Sequence, residues 1–141
     1  MKPRIVIDTN VLISGLRSRN GASFKLLTLF GLDKFVVSVS VPLVLEYEEA
    51  AKFFSRKFRL SHKDIDDILD YLCSISDHRK IHFLWRPVLR DPSDDMVLEL
   101  AVESESKYIL TYNKKDFRGA EKFGIDVVTP KEFLIQIGEL S

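Results

Sequence analysis

Apolar residues along this chain follow two alternating periods. The first run, Arg4-Ile5-Val6-Ile7-Asp8, is short, β-branched and continuous, which predicts a buried strand over residues 4–8. Residues 10 to about 17 change to helical spacing, and Arg19-Asn20-Gly21 ends that helix. Phe24, Leu26, Leu27 and Phe30 continue it over residues 22–30, up to Gly31. Residues 34–39 form a second β-branched strand. Pro42 suits the first turn of a helix that runs to about residue 54, because its missing N–H costs little there. Residues 61–74 carry Ile65, Ile68, Leu69 and Leu72 on one face and Asp64, Asp66, Asp67 and Asp70 on the other. Further elements follow in order: a strand at 81–84, a helix over 91–105, a strand at 108–111, a short helix at 116–123, a strand at 126–129 and a last helix from Pro130.

Strands alternating with helices imply βαβ units. The expected fold is a three-layer α/β/α sandwich around a mostly parallel sheet, with the helix pair over residues 42–74 forming a protruding hairpin. The 141 residues suit one domain over 1–141. Hydrophobic content of 45% and charged content of 30% are those of an ordinary globular chain. A formal net charge of zero gives no global basic field, so a polyanion partner would need a local basic rim. Cys73 stands alone, which excludes a disulfide framework and a thiolate metal site. With no secretory leader pattern and no apolar run of membrane-spanning length, a cytoplasmic location is expected.

The chemistry lies in the acids. Asp8 stands where strand becomes helix, at the carboxyl edge of a parallel sheet, where ligands bind in open α/β folds. It is also a good helix cap. Glu46 lies at the edge of its helix's apolar stripe, between Leu43 and Ala50, while Glu48 and Glu49 point further away. In Asp91-Pro92-Ser93-Asp94-Asp95, Asp91 caps the helix and Asp94 sits at the capping-box position. On the helical wheel Asp94 falls above Val97, Leu98 and Ala101, and Asp95 beside Leu98 and Val102. One of the two carboxylates is drawn toward the core, where a metal or a cation must compensate it. Asn113 and Asp116 follow another strand, at 108–111. Two strands and two helices thus bring oxygen ligands to one sheet edge. His62, His78 and His82 have no ligand spacing. Oxygen-only donors suit Mg²⁺ or Mn²⁺ rather than zinc, and such a site suits phosphodiester hydrolysis. No Gly-rich phosphate loop is present, and Asp8-Thr9-Asn10 lacks the second Asp of haloacid dehalogenase-like phosphatases.

These segments resemble the PIN domain family in order along nearly the whole chain. Asp8-Thr9-Asn10-Val11-Leu12-Ile13-Ser14-Gly15-Leu16 is similar to its opening motif. Pro42 with Glu46 resembles its second, Asp91 to Asp95 its third, and Tyr108-Ile109-Leu110-Thr111 its fourth. The match is closest to stand-alone PIN proteins grouped with VapC-like toxins. The resemblance implies a Mg²⁺- or Mn²⁺-dependent endoribonuclease of single-stranded RNA, the toxin of a toxin–antitoxin pair, partnered by an antitoxin protein and expected as a homodimer.

The resemblance also implies Asp8, Glu46 and Asp95 as central acids, with Asp116 as a fourth. Asp8, Asp95 and Asn113 would be metal ligands. Thr9, Asn10, Asp94 and Thr111 would support them. Many family members carry Asp where this chain has Asn113; others keep the Thr-x-Asn-x-x-Asp-Phe arrangement seen here as Thr111, Asn113, Asp116 and Phe117. Lys114, Lys115 and Arg118 form the expected phosphate-gripping rim. Arg56, Lys57 and Arg59, interleaved with Phe53, Phe54 and Phe58, are a second basic-aromatic candidate. The competing expectation, motivated by Asn113, is a PIN-like module that binds RNA or a protein without cutting.

Overall fold

The computed structural model describes residues 2–81, 89 and 91–141. Five strands are described: β1 (Arg4–Ile7), β2 (Val36–Val39), β3 (Asp77–His78), β4 (Tyr108–Leu110) and β5 (Asp126–Val128). They form one sheet in the order β3-β2-β1-β4-β5. Every pairing is parallel, which sharpens the expected mostly parallel sheet. Ile5, Val6 and Ile7 are all buried. Successive strand residues face opposite sides of a sheet, so β1 must be covered on both faces. The helices that cover the sheet are α1 (Thr9–Arg17), α2 (Ala22–Thr28), α3 (Val41–Phe53), the short α4 (Ser55–Phe58), α5 (His62–Ile75), α6 (Pro92–Glu103) and α7 (Pro130–Gln136). The result is the expected α/β/α sandwich.

The connections run outward from β1 to β2 and β3 on one side, and from β4 to β5 on the other. The order of strands therefore reverses between β1 and β4, the position where open α/β sheets form a crevice. Register fixes what lies there. Ile7 pairs with Leu110, so the next residues, Asp8 and Thr111, leave adjacent strands side by side. Asp8 N still donates to Leu110 O at 2.9 Å, which keeps the two strand ends together.

Three local features differ from the sequence pattern. The helix expected at 116–123 is two 3₁₀ turns, Lys114–Phe117 and Ala120–Phe123. Gly119 separates them at φ 102°, in the left-handed region that stops helix propagation. The helix expected to reach residue 54 ends at Phe53, and α4 follows at a corner closed by Arg59 in the left-handed conformation. The strand expected at 81–84 falls mostly outside the described residues, and Ile81 is not in a strand. The edge strand is instead β3, paired through Asp77 and His78 to Ser38 and Val39. Two residues are too short to leave a periodic signature.

Helix α3 is fastened to the end of β1 from below. Tyr47 is fully buried, and its hydroxyl donates to the carbonyl oxygen of Ile7, one residue before Asp8. This bond joins the strand that carries Asp8 to the helix that carries Glu46. Tyr47→Phe, which keeps the ring, should cost about 1 kcal/mol in urea denaturation. Tyr47→Ala should cost about 3–5 kcal/mol, the range for deleting a buried aromatic side chain. A phenylalanine variant as stable as the parent would show that the hydroxyl does not hold the strand end.

Candidate active site

Asp8 is 8% exposed and caps α1, so its carboxylate is held at the helix N-terminus with little access to water. Burial pushes its pKa up, while bonds from Thr111 and the Thr9 amide pull it down and the charges of Glu46 and Asp116 push it up again. One carboxylate oxygen accepts from Thr9 N at 2.8 Å. The other accepts from Thr111 Oγ1 at 2.8 Å and Asn10 Nδ2 at 3.3 Å.

Thr111 is fully buried and all its hydroxyl capacity is used. It donates to Asp8 and accepts from Asn10 Nδ2 at 3.3 Å and Asn113 N at 3.0 Å. Asn10 completes the net by accepting from Tyr112 N at 3.3 Å. The polar groups just beyond β1 and β4 thus form one connected network, the condition under which buried polar groups rigidify a site instead of weakening it. Thr9 extends the network to α3, donating its hydroxyl to Glu46 Oε2 at 2.5 Å. The expected supporting residues Thr9, Asn10 and Thr111 are all in direct contact with Asp8 or Glu46.

The third acid comes from the N-terminus of α6. The resemblance implies Asp95 in the central place and Asp94 beside it, but the converging charges act on Asp94. Its pKa is pushed up to about 7 by burial, then by the charges of Asp8, Asp91, Asp116 and Glu46. The Asp95 carboxylate accepts the Leu89 amide at 2.9 Å, so it serves the chain entering the helix. The helical wheel already carried this signal: Asp94 precedes Val97, Leu98 and Ala101 by three, four and seven residues, and all three are buried. Asp91 is the cap, accepting from Ser93 N at 2.8 Å.

The remaining expected residues lie after β4. Asp116 is exposed, and its charge is felt by both Asp8 and Asp94. Asn113 is exposed; its amide N–H is turned in to Thr111 and its carbonyl accepts from Asp116 N at 3.0 Å. Lys114 is paired with Glu132 of α7 at 3.0 Å, whereas Lys115 and Arg118 are exposed. Sequence patterns gave no sign of Tyr112, which stands 44% exposed beside the network with its hydroxyl 2.5 Å from Ser23 Oγ.

Asp8, Glu46, Asp94 and Asp116 are all hard oxygen donors, and their mutual repulsion is what a divalent cation would relieve. Among the described residues no three acids or histidines are drawn close enough to form a ready coordination group. The donor chemistry fits a hard cation, and the acids act on one another across a gap that such an ion would have to close.

The charge on Asp94 makes stability depend on pH. Below its ordinary value of 3.8 the carboxyl is protonated in folded and unfolded chains alike. Between there and about 7 the unfolded chain releases the proton and the folded chain keeps it, so stability falls as pH rises. Above that range both are ionised and the contribution is flat. Without added metal, the urea midpoint should therefore drop from pH 5 to pH 7.5, and Asp94→Asn should flatten the drop. An unchanged slope in the variant would place its source elsewhere.

Comparisons with known proteins agree with this fold. The PIN domain family model matches residues 4–115. An uncharacterized protein of Methanocaldococcus jannaschii is 32% identical over 148 aligned positions, covering 95% of this chain and 91% of that protein. Among solved structures, VapBC2 from Rickettsia felis, bound to a DNA fragment from their promoter, aligns with TM-score 0.57 at 11% identity. That alignment covers 88% of this chain and 96% of the other, and at such identity it is a likeness of fold. By its fold, its motif order and the family match across most of its length, the chain belongs to the PIN domain family.

Proposed function

We propose that this protein is a Mg²⁺- or Mn²⁺-dependent endoribonuclease that cuts single-stranded RNA. PIN domains are generally nucleases, which supports hydrolysis of phosphodiester bonds as the reaction class. The observation that carries the reading is the bonded network at the sheet's switch point, where Thr9 bonds both Asp8 and Glu46 and Thr111 bonds Asp8, with the charges of Asp8 and Glu46 also acting on Asp94. Asp8 and Asp94 are assigned as the principal metal-holding acids, Asp116 as a third donor, and Asp95 as a residue that holds the chain entering α6. Asn113 is exposed and is assigned to the rim.

A divalent ion bound there would supply Lewis acidity, neutralise phosphate charge and lower the pKa of water. The chain's own part is positioning and proton transfer. Thr9 occupies Glu46 Oε2, which leaves Oε1 to take the proton of the attacking water. Thr111 and Asn10 fix the rotamer of Asp8, so the carboxylate does not have to reorganise as charge develops. Lys115 and Arg118, which have no acid partner among the described residues, are the cations of the post-β4 rim that would hold the substrate backbone.

The biological role proposed is that of a toxin restrained by an antitoxin, acting in the cytoplasm as a homodimer. The VapBC2 complex supports it, because the same fold there belongs to a toxin–antitoxin assembly.

Asp8→Asn should abolish Mn²⁺-dependent cleavage of a single-stranded oligoribonucleotide, with rates at least ~100-fold down and an unchanged circular dichroism spectrum. Equal cutting by parent and variant would sink the assignment. The absence of a ready three-ligand group among the described residues, together with Asn113, favours one other reading: a PIN-fold module that binds without cutting. Calorimetric titration separates the two. A nuclease should bind Mn²⁺ and lose that binding in Asp94→Asn, whereas a binding module should take up no Mn²⁺ in either form.

A further inference from the structure

Several stretches of the chain carry cations without acids, among them residues 9–32 and 79–90, and one begins on α3, the helix that carries Glu46. Residues 52–59 contain Lys52, Arg56, Lys57 and Arg59 and no acid. This segment is the last turn of α3, the short α4 and the left-handed residue Arg59 that closes the corner. Lys52 is engaged by Asp66 at 2.8 Å and Glu48 at 3.2 Å. Arg56, Lys57 and Arg59 are exposed and have no acid partner among the described residues. Lys57 lies over the Phe54 ring, 5.9 Å from its centre, so the corner gathers three cations that no acid among the described residues neutralises.

An aromatic ring stands among them. Phe53 is 80% exposed, the most exposed large apolar residue described. Phe54 packs edge-on against it at 4.9 Å and also contacts Phe58 at 6.0 Å. The half-buried pair thus props Phe53 outward. Its position on α3 relates it to the candidate active site. Seven residues separate Glu46 from Phe53, which is two helical turns, so both lie on one face about 10 Å apart along the axis.

We propose that the α3–α4 corner is the track that holds the single-stranded RNA substrate beside the cleaved bond, with Phe53 stacking on a base and Arg56, Lys57 and Arg59 gripping phosphates. The proposal rests on the nuclease reading of the carboxylate site. Unpaired cations match the backbone charge, and an exposed ring offers a sequence-tolerant face for an unstacked base, the combination used to bind single strands. One projecting ring is too little apolar surface to anchor a bilayer, and the shared face with Glu46 gives the strand a direction. Glu49, exposed between Glu46 and Phe53, is an unfavourable charge on the path.

The test uses the full chain carrying Asp8→Asn, so that substrate survives, and measures fluorescence anisotropy of labelled octauridylate and diuridylate across a salt series. Adding Phe53→Ala should weaken octauridylate binding about 10-fold, and Phe53→Trp should restore it. Replacing Arg56, Lys57 and Arg59 together by Gln should reduce the log–log salt slope by about 2, as expected for three lost phosphate contacts to a single strand. Glu49→Gln should tighten binding. Diuridylate, which offers only two bases and one internucleotide phosphate, should bind more weakly and lose less to each substitution than octauridylate. Variants that bind octauridylate like their Asp8→Asn parent would overturn the track, as would tighter binding to phosphatidylserine vesicles than to RNA. Cleavage by the unaltered protein then decides the underlying reading separately. Cutting without track sensitivity removes only the track, and track-dependent binding without cutting removes only the nuclease.

Discussion

The hydrogen bond from Thr111 to Asp8 is the constraint on which the rest of the site depends. A carboxylate that is 8% exposed must be compensated, and the chain does this with groups brought by a second strand. That compensation requires β1 and β4 to be neighbours in a register that ends both at the same level. The pairing of Ile7 with Leu110 provides it. The same bond spends the single donor of a fully buried hydroxyl, so Thr111 accepts its remaining bonds from Asn10 and Asn113. Strand order, register and the orientation of the post-β4 segment are thereby tied to one buried charge.

Around that charge the fold gathers more of the same sign. Glu46 arrives on α3, held by Thr9 and by the adjacent Tyr47 bond to Ile7. Asp94 arrives at the first turn of α6, and Asp116 in the 3₁₀ turn after β4. Helix N-termini at Asp8 and Asp94 favour negative charge, which offsets part of the repulsion. Burial and the other acids still drive Asp94 up to about 7, so the offset is incomplete. A structure that assembles repelling groups at its switch point sacrifices stability there, as functional sites commonly do.

The sequence and the tertiary structure divide the explanation unevenly. Continuous β-branched runs at residues 4–7 and 36–39 and helical spacing between them identified the βαβ units, because period and composition are local properties. The motif order identified the family for the same reason. Boundaries shifted where a single backbone conformation intervened, as at Gly119, or where an element was only two residues long, as in β3. Asp8, Thr9, Asn10 and Thr111 were legible as candidates because each sits at a strand end or a helix start, and Glu46 because it lies at the edge of the apolar stripe of α3.

Spacing placed Asp94 above Val97, Leu98 and Ala101, but what each of Asp94 and Asp95 interacts with lay beyond it. Both belong to one helical turn, and both lie toward the apolar side of the helical wheel. Asp94 feels the charges of Asp8 and Glu46, on elements more than 40 residues away in sequence, and Asp95 accepts the amide of Leu89. The isolation of Arg56, Lys57 and Arg59 is likewise a tertiary fact: sequence shows a run of cations, but only packing shows that α5 supplies Asp66 to Lys52 and nothing to the others. By itself the sequence determined the elements, their order and the residue types available for chemistry, because short-range sterics and hydrophobic periodicity suffice for these. Tertiary structure alone decided which carboxylates share a field and which charges stay unpaired, because electrostatic interaction depends on distance in space and on burial.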